Sequence, residues 1–572
     1  MFMAIRLFMT SKRGCAMSPE KITETLKNLN ICPDKIQDNE LRPAFNTLLN
    51  LVEEIYKDYK KTKEENQDLK DAISLLKGED PKPKFPKRKK NESSEKERKD
   101  RQPPKKKKSK KKKDKIIPDR EEVCPVDKSI LPEDAKFNGH SSILVQKLII
   151  KVENVEYLRE TYYSPSQKKL YMGQLPPGIK RGYDPGVISF IYAQKHGSNV
   201  SEPKITESLN DIGIYISQST VSRFLTNDID DFHQEKDDIV LAGLHSSVFQ
   251  QIDDTGTKVK GQSQYVQILC NPHYTAFFTV PKKDRLTVID ILLCGRERRY
   301  FFNEDAFELL KKLRVSNKVI IQLQSEVAGK TLDEKEMKEV LKKLFPNPKK
   351  YKNIRTRIKE AGAIVAYRNQ TDIPVIQILL SDNAPQFKLI TEHQALCWIH
   401  DGRHYKKLYP IVSLNKDRLD GFRGQYWDYY AKLLEYKGNP TQDKAEKLSK
   451  DFDELFSTKT GYEALDERIA KTKANKSELL LVLKHPELPL HNNNSELGAR
   501  AEKRKQDVSL HTITEEGTKS KDTFLTIAQT ARKLGVSFYK YIYDRVSKNF
   551  NMPSLASIIE AKSSGKDCFD TS

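Results

Sequence analysis

No CxxC pair occurs anywhere in the 572 residues, and the seven cysteines (Cys15, Cys32, Cys124, Cys270, Cys294, Cys397, Cys568) are odd in number and scattered. That excludes a disulfide framework and a cysteine-only zinc site, and it suits a reducing cytosol. Runs of the ~20 apolar residues that a membrane-spanning helix needs are also missing, so no membrane partner is expected. The opening MFMAIRLFM is apolar, but Arg6 interrupts it and no small-residue cleavage pattern follows, so it does not read as a signal peptide. Ser18 before Pro19 would cap a helix, which makes Met17 a sensible start and residues 1–16 dispensable.

What the chain has in excess is positive charge, and it is unevenly placed. Residues 82–115 carry 19 Lys and Arg against 5 Asp and Glu, a local +14 out of a net +21. A segment this poor in apolar residues cannot offset the entropy of ordering itself. Residues 79–118 therefore read as a disordered basic linker. Its functional reading is an arm that tracks the DNA backbone in a salt-dependent way; the competing reading is a solvating spacer.

Cores stop growing near ~250–300 residues, so the chain must divide. After an N-terminal segment (1–40), residues 41–78 hold an apolar heptad row through Phe45, Leu48, Val52, Ile55, Tyr59, Thr62, Asn66, Leu69, Ile73 and Leu76. Asn66 and Ile73 at one core position and leucines at the other favour a parallel two-stranded coiled coil, hence a homodimer. The alternative is an amphipathic helix packed within its own chain. Residues 119–185 form a small strand-containing region with the strand-like run SILVQKLIIKV.

Residues 186–240 have helix-turn-helix spacing. Ile205 and Leu209 mark one helix, Gly213 the turn, and Ile216, Val221 and Leu225 the packing side of a second helix capped by Ser217. Gln218, Ser219, Ser222 and Arg223 then project outward, as readers of base edges and phosphates would. A plain helical hairpin would show the same pattern.

From Val248 the chain turns into short alternating runs, VFQQIDDTGTKV, QYVQILC and TAFFTVP, which suggest an antiparallel meander. Later, PVIQILLSDNAPQF is a continuous apolar strand buried on both faces and ending at Asp382. Acids in buried strands are costly unless paired or metal-bound, so Asp253 and Asp382 each call for a function. A third acid, Glu496, falls in the first turn of a helix entered from HNNNSE, with Asn494 or Ser495 as cap. The neighbour Asp254 competes with Asp253, because adjacent strand residues face opposite sides.

The segments QIDDTGTKV, LLSDNAPQF, LCWIHDGRHYKKL, NNNSELGARAEKRKQ and TIAQTARKLGVSFYKYI, in this order, resemble blocks of the insertion sequence 66 family of DDE transposases. The resemblance runs from about residue 40 to 547. It implies an α/β, RNase H-like catalytic core with a helical insertion, preceded by a coiled coil, a basic disordered linker and a helix-turn-helix. It also selects Asp253, Asp382 and Glu496 as catalytic and metal-binding acids. The implied cofactor is a pair of Mg2+ ions, with Mn2+ as a substitute; oxygen ligands suit these cations.

On this reading residues 241–547 are the catalytic domain, with the insertion at about 420–490, and 548–572 are a C-terminal tail. Cys397, His400 and His404 form C-x-x-H-x-x-x-H; with only three ligands it is a weak zinc site, and Cys397 and His400 read as structural support for the active site. Arg500, Lys503 and Arg504 recur at helical intervals beyond Glu496, either gripping DNA backbone or forming a solvated face. Two features depart from the family: the region before the helix-turn-helix keeps only Cys124, and residues 295–370 lengthen the interval between the first two acids.

The expected function is that of a transposase, cytoplasmic and nucleoid-associated when bound to double-stranded DNA. It would bind terminal inverted repeats and carry out two-metal cleavage and strand transfer. The alternatives are a transposon-derived DNA-binding protein without cleavage and an RNase H-like nuclease of recombination.

Overall fold

The computed structural model describes residues 41–76, 117–132 and 135–565. The expectations for residues 1–40 and for the basic stretch 82–115 lie outside them. The first element, α1 (Leu41–Leu76), is one unbroken helix, as the heptad spacing predicts. Part of it docks on the chain itself. The Glu53 carboxylate accepts the N–H groups of Ile411 (2.8 and 3.0 Å) and Val412 (2.9 Å), and Asn50 Nδ2 donates to Gly461 O (3.3 Å). The heptad row is thereby divided: Phe45 and Val52 are half-buried, whereas Leu48, Ile55, Tyr59, Leu69 and Ile73 stay exposed.

The SILVQKLIIKV run forms no strand. Residues 141–151 have no ladder partner among the described residues, and Ile143, Val145, Leu148 and Ile149 are exposed. Strand-forming residues alone do not make a strand; the backbone groups need a neighbour. The hairpin of this region forms later, β1 (Thr161–Ser164) antiparallel to β2 (Lys169–Met172).

A helical layer follows. Asp184 caps α2 (Pro185–Tyr192) by accepting from Gly186 N and Val187 N. Next come α3 (Glu202–Asp211), α4 (Gln218–Thr226) and α5 (Asp230–His245). Gly213 turns the chain between α3 and α4 at φ +92°, where a side chain would be strained, and Ser217 caps α4 by accepting from Thr220 N. Ile205, Leu209, Ile216, Val221 and Leu225 are all buried, as their spacing requires.

The centre is a five-stranded mixed sheet. β3 (Phe249–Val259), β4 (Gln262–Cys270) and β5 (Thr275–Val280) form the antiparallel meander. Its first turn, Lys260-Gly261, has positive φ at both residues (+50° and +77°), the tight hairpin geometry that matches strand twist. A long crossover leads away through α6 (Arg285–Leu292), β6 (Tyr300–Phe301), α7 (Glu304–Lys312), α8 (Asn317–Val327), β7 (Thr331–Leu332), α9 (Glu334–Leu344) and α10 (Lys352–Asn369). It returns β8 (Ile378–Ser381) parallel to β3 and then β9 (His393–Leu396) parallel to β8, giving the order β5-β4-β3-β8-β9.

The helical stretch expected from about residue 420 begins earlier, directly after β9. It comprises α11 (Trp398–Lys406), α12 (Ser413–Gly438), α13 (Gln442–Leu455) and α14 (Glu463–Ala474), packed around the fully buried Trp398 with Tyr426, Tyr429, Phe452 and Phe456. The chain then returns to the sheet as α15 (Asn493–Ser509) and α16 (Glu515–Leu534), followed by α17 (Phe538–Val546) and α18 (Leu555–Ser563).

Helix α16 covers the sheet's free edge. Thr530, Thr526 and Asp522 accept the N–H groups of Thr275, Phe277 and Thr279 at 3.2, 3.1 and 2.6 Å. The match is geometric: four residues advance a helix by about 6 Å, and two advance a strand by about 6.6 Å. Helix α18 is no free tail, since Leu555 and Ile559 are fully buried in the main core. Among the described residues, no helix is long and apolar enough to cross a membrane.

Candidate active site

The parallel register sets the first two acids side by side. β3 and β8 pair Phe249 with Ile378 and Gln251 with Leu380, and two residues further along each strand lie Asp253 and Asp382. Side chains two apart share a face, so both carboxylates point the same way from neighbouring strands about 4.8 Å apart. Asp382 follows the last strand residue, and its Oδ1 accepts from Ala384 N (3.0 Å).

Glu496 reaches the same place from a helix. α15 crosses the face that carries Asp253 and its cross-strand neighbour Ile268. A Cβ on Gly498 would meet Ile268 Cγ2 at 2.7 Å, so glycine is what permits α15 to lie this close. Asn492, rather than Asn494 or Ser495, stands at the helix start, and its side chain does not cap. Its Nδ2 donates to Ile252 O (2.8 Å) and its N–H to Cys397 Sγ (3.2 Å), tying the helix entrance to β3 and to α11.

Electrostatics confirms the proximity of the three. Burial pushes the Asp253 carboxyl up to about 7; the Asp254 N–H (2.9 Å) opposes this, and the negative charges of Asp382 and Glu496 add to it. Asp254 looks elsewhere, accepting from Gln386 Nε2 (2.7 Å) and pairing with Lys283 (3.3 Å). Glu496 is held by Arg403 Nη2 (3.0 Å) and, at the more exposed side, by Arg500 (3.5 Å). His400 lies 3.7 Å away, but burial and Arg403 lower its pKa, so this neutral ring forms no ion pair and accepts instead from Arg403 Nη1 (3.0 Å).

Three carboxylates from three elements supply the hard oxygen donors that Mg2+ or Mn2+ takes, and their mutual repulsion is what a bound cation would relieve. Among the described residues no group of three or more His, Cys, Asp or Glu side chains is placed to hold a metal ion as it stands. Cys397 is buried at the start of α11, with its thiol pushed up to about 12 by burial.

Of the remaining expected site residues, Arg500 and Lys503 lie on the same exposed face of α15 as Glu496, with Lys503 Nζ on Gly256 O (2.6 Å), and Arg504 is exposed beside them. Gln218, Ser219 and Arg223 are exposed and Ser222 half-buried on α4, a separate element that donates nothing to the carboxylates. Sequence reasoning missed Arg403, Asn492 and Gly498. It also missed two arginines that brace the loop after Asp382. Arg285 donates to Pro385 O and Lys388 O (2.8 Å each), and Arg368 to Leu389 O, Ile390 O and Thr391 O (2.8, 3.0 and 2.6 Å). Only Arg403 left a trace in the sequence: it lies one helical turn beyond His400.

No protein-family model matches the chain. It is 31% identical over 322 residues to the uncharacterized protein y4jO of Sinorhizobium fredii (strain NBRC 101917 / NGR234), a match that spans 56% of this chain and 99% of that protein.

Proposed function

We propose that this chain, which belongs to the same family as the uncharacterized protein y4jO, is a DDE-type DNA transposase. It binds the terminal inverted repeats of its own mobile element, cuts at their ends and joins the exposed 3′-hydroxyls to target DNA. One observation carries the reading: acids from β3, the end of β8 and the first turn of α15 converge on one face of the sheet. The strand order, with an antiparallel meander and two parallel strands beyond it, is that expected of an RNase H-like core.

In this reading Asp253, Asp382 and Glu496 hold two Mg2+ ions. Once bound, these supply activation of the attacking oxygen and stabilisation of the leaving one. The chain's own residues do the rest. Gly498 and Asn492 fix where Glu496 stands, and Arg285 and Arg368 keep the loop after Asp382 from shifting. Arg500, Lys503 and Arg504 offer positive charge to the DNA backbone, while Gln218, Ser219, Ser222 and Arg223 on α4 read the repeat as the second helix of a helix-turn-helix. The exposed row Leu48, Ile55, Tyr59, Leu69 and Ile73 is the surface through which a second copy completes a coiled coil.

The alternative of a DNA-binding protein without cleavage draws on one observation, that Glu496 is already neutralised by Arg403. Strand transfer separates the two. The intact protein should join a 3′-hydroxyl end to plasmid DNA only with Mg2+, and Asp382→Ala should lose the reaction while binding DNA as before. Intact protein that binds DNA and never joins it would establish the alternative.

A further inference from the structure

Arg403 has no role in the proposed chemistry, yet it is the cation closest to Glu496. Its position is not a loop accident. α11 is locked to the entrance of α15 by Asn492 N on Cys397 Sγ (3.2 Å) and by Trp398 N on Leu490 O (3.0 Å). From that fixed base Arg403 places Nη2 on Glu496 Oε2 and Nη1 on His400 Nε2, both at 3.0 Å. Arg500 touches the same oxygen at 3.5 Å, but its side chain is 49% exposed against 29% for Arg403, so water screens it more.

We infer that Arg403 is a stand-in cation: it occupies the Glu496 carboxylate until a divalent ion takes that oxygen, and then turns to a phosphate of the bound DNA. The inference rests on the metal reading of the carboxylate cluster. Three acids crowded into a partly buried pocket repel one another, and a guanidinium on one of them offsets part of that repulsion. The oxygen it holds is one the cation needs, so guanidinium and metal compete. A released guanidinium keeps its fork of donors, which fits phosphate as well as it fits carboxylate. The exchange makes an empty site stable and joins metal arrival to substrate grip.

The test is a titration of the full-length protein with Mn2+ alone, following the free-ion paramagnetic resonance signal, without DNA. Arg403→Met should bind Mn2+ about fivefold more tightly than the native chain, the loss of one half-screened ion pair. Arg403→Lys, which keeps the charge but not the fork, should fall between, and Arg500→Met should change affinity by less than about twofold because its pair is largely exposed. Affinity that is unchanged or weaker in Arg403→Met, with the native melting temperature retained, overturns the inference while leaving the metal site standing. Absence of any Mn2+ binding that Asp382→Asn weakens overturns the metal reading itself, a distinguishable result. With Ca2+ present to fill the site, the salt slope of binding to a plain DNA duplex should be smaller by about one in Arg403→Met, and equal to native in EDTA. An equal slope under both conditions rules out the turn to phosphate.

Discussion

Two helices lie against the same sheet, and each brings it an acid. Asp522 on α16 is satisfied from every side: it accepts Thr279 N (2.6 Å) and Thr279 Oγ1 (2.8 Å), and Lys521 and Lys236 are the cations that offset its burial. Glu496 on α15 enters a half-buried site where Asp253 and Asp382 carry the same sign, and the side chains of Arg403 and Arg500 offset it. Both acids are poorly exposed. Burial by itself therefore says little about role: an acid whose neighbours complete its bonding holds the fold, and an acid set among like charges is the one on which the proposed function draws.

Substitutions should pull the two sites apart, and the largest effect belongs to the structural one. Asp522→Ala leaves Thr279 N and Thr279 Oγ1 without their acceptor and removes the buried charge that faces Lys521 and Lys236, and should cost about 3–5 kcal/mol in denaturant unfolding. A loss under about 1 kcal/mol would erase the contrast. Next, Gly498→Val forces α15 away from Ile268 and should cost about 1–3 kcal/mol by overpacking, with Mn2+ affinity falling as Glu496 is displaced.

Asp253→Asn should do the reverse and stabilise the metal-free protein, by on the order of 2 kcal/mol at pH 8. The pH dependence follows from the direction of the shift. The folded carboxyl titrates at about 7 and the ordinary one at 3.8, so between those values the folded state holds a proton that the unfolded state has released. Stability of the native chain therefore falls as pH rises through that window and levels off above it; melting curves of Asp253→Asn should lack this slope. Smallest is Thr526→Val, which strips one acceptor from the edge strand and should cost about 1 kcal/mol in the same assay.

Much of this was written in local pattern. The meander, the apolar strand leading into Asp382, the α3-turn-α4 unit and the helix that carries Glu496 all follow from periodicity and turn residues, which are properties of neighbouring residues. What was illegible depends on distant partners. HNNNSE contains several residues able to cap, yet the helix starts after Asn492, whose side chain is drawn instead to Ile252 O on β3, 240 positions away. SILVQKLIIKV is rich in strand-forming residues, but no adjoining strand receives it among the described residues. Residues 555–563 looked like a tail because nine residues carry little periodic signal, whereas the core has room for Leu555 and Ile559. The heptad of α1 was visible, but not that Glu53 would cross to Ile411 and Val412 and commit one face of the helix to its own chain.

The most direct measurement is anomalous diffraction from crystals soaked in Mn2+. The account predicts one or two manganese peaks bounded by the Asp253, Asp382 and Glu496 carboxylates, with the Glu496 to Arg403 contact broken in the same crystals. Manganese bound only elsewhere, or none at all with the three acids unmoved, would contradict it.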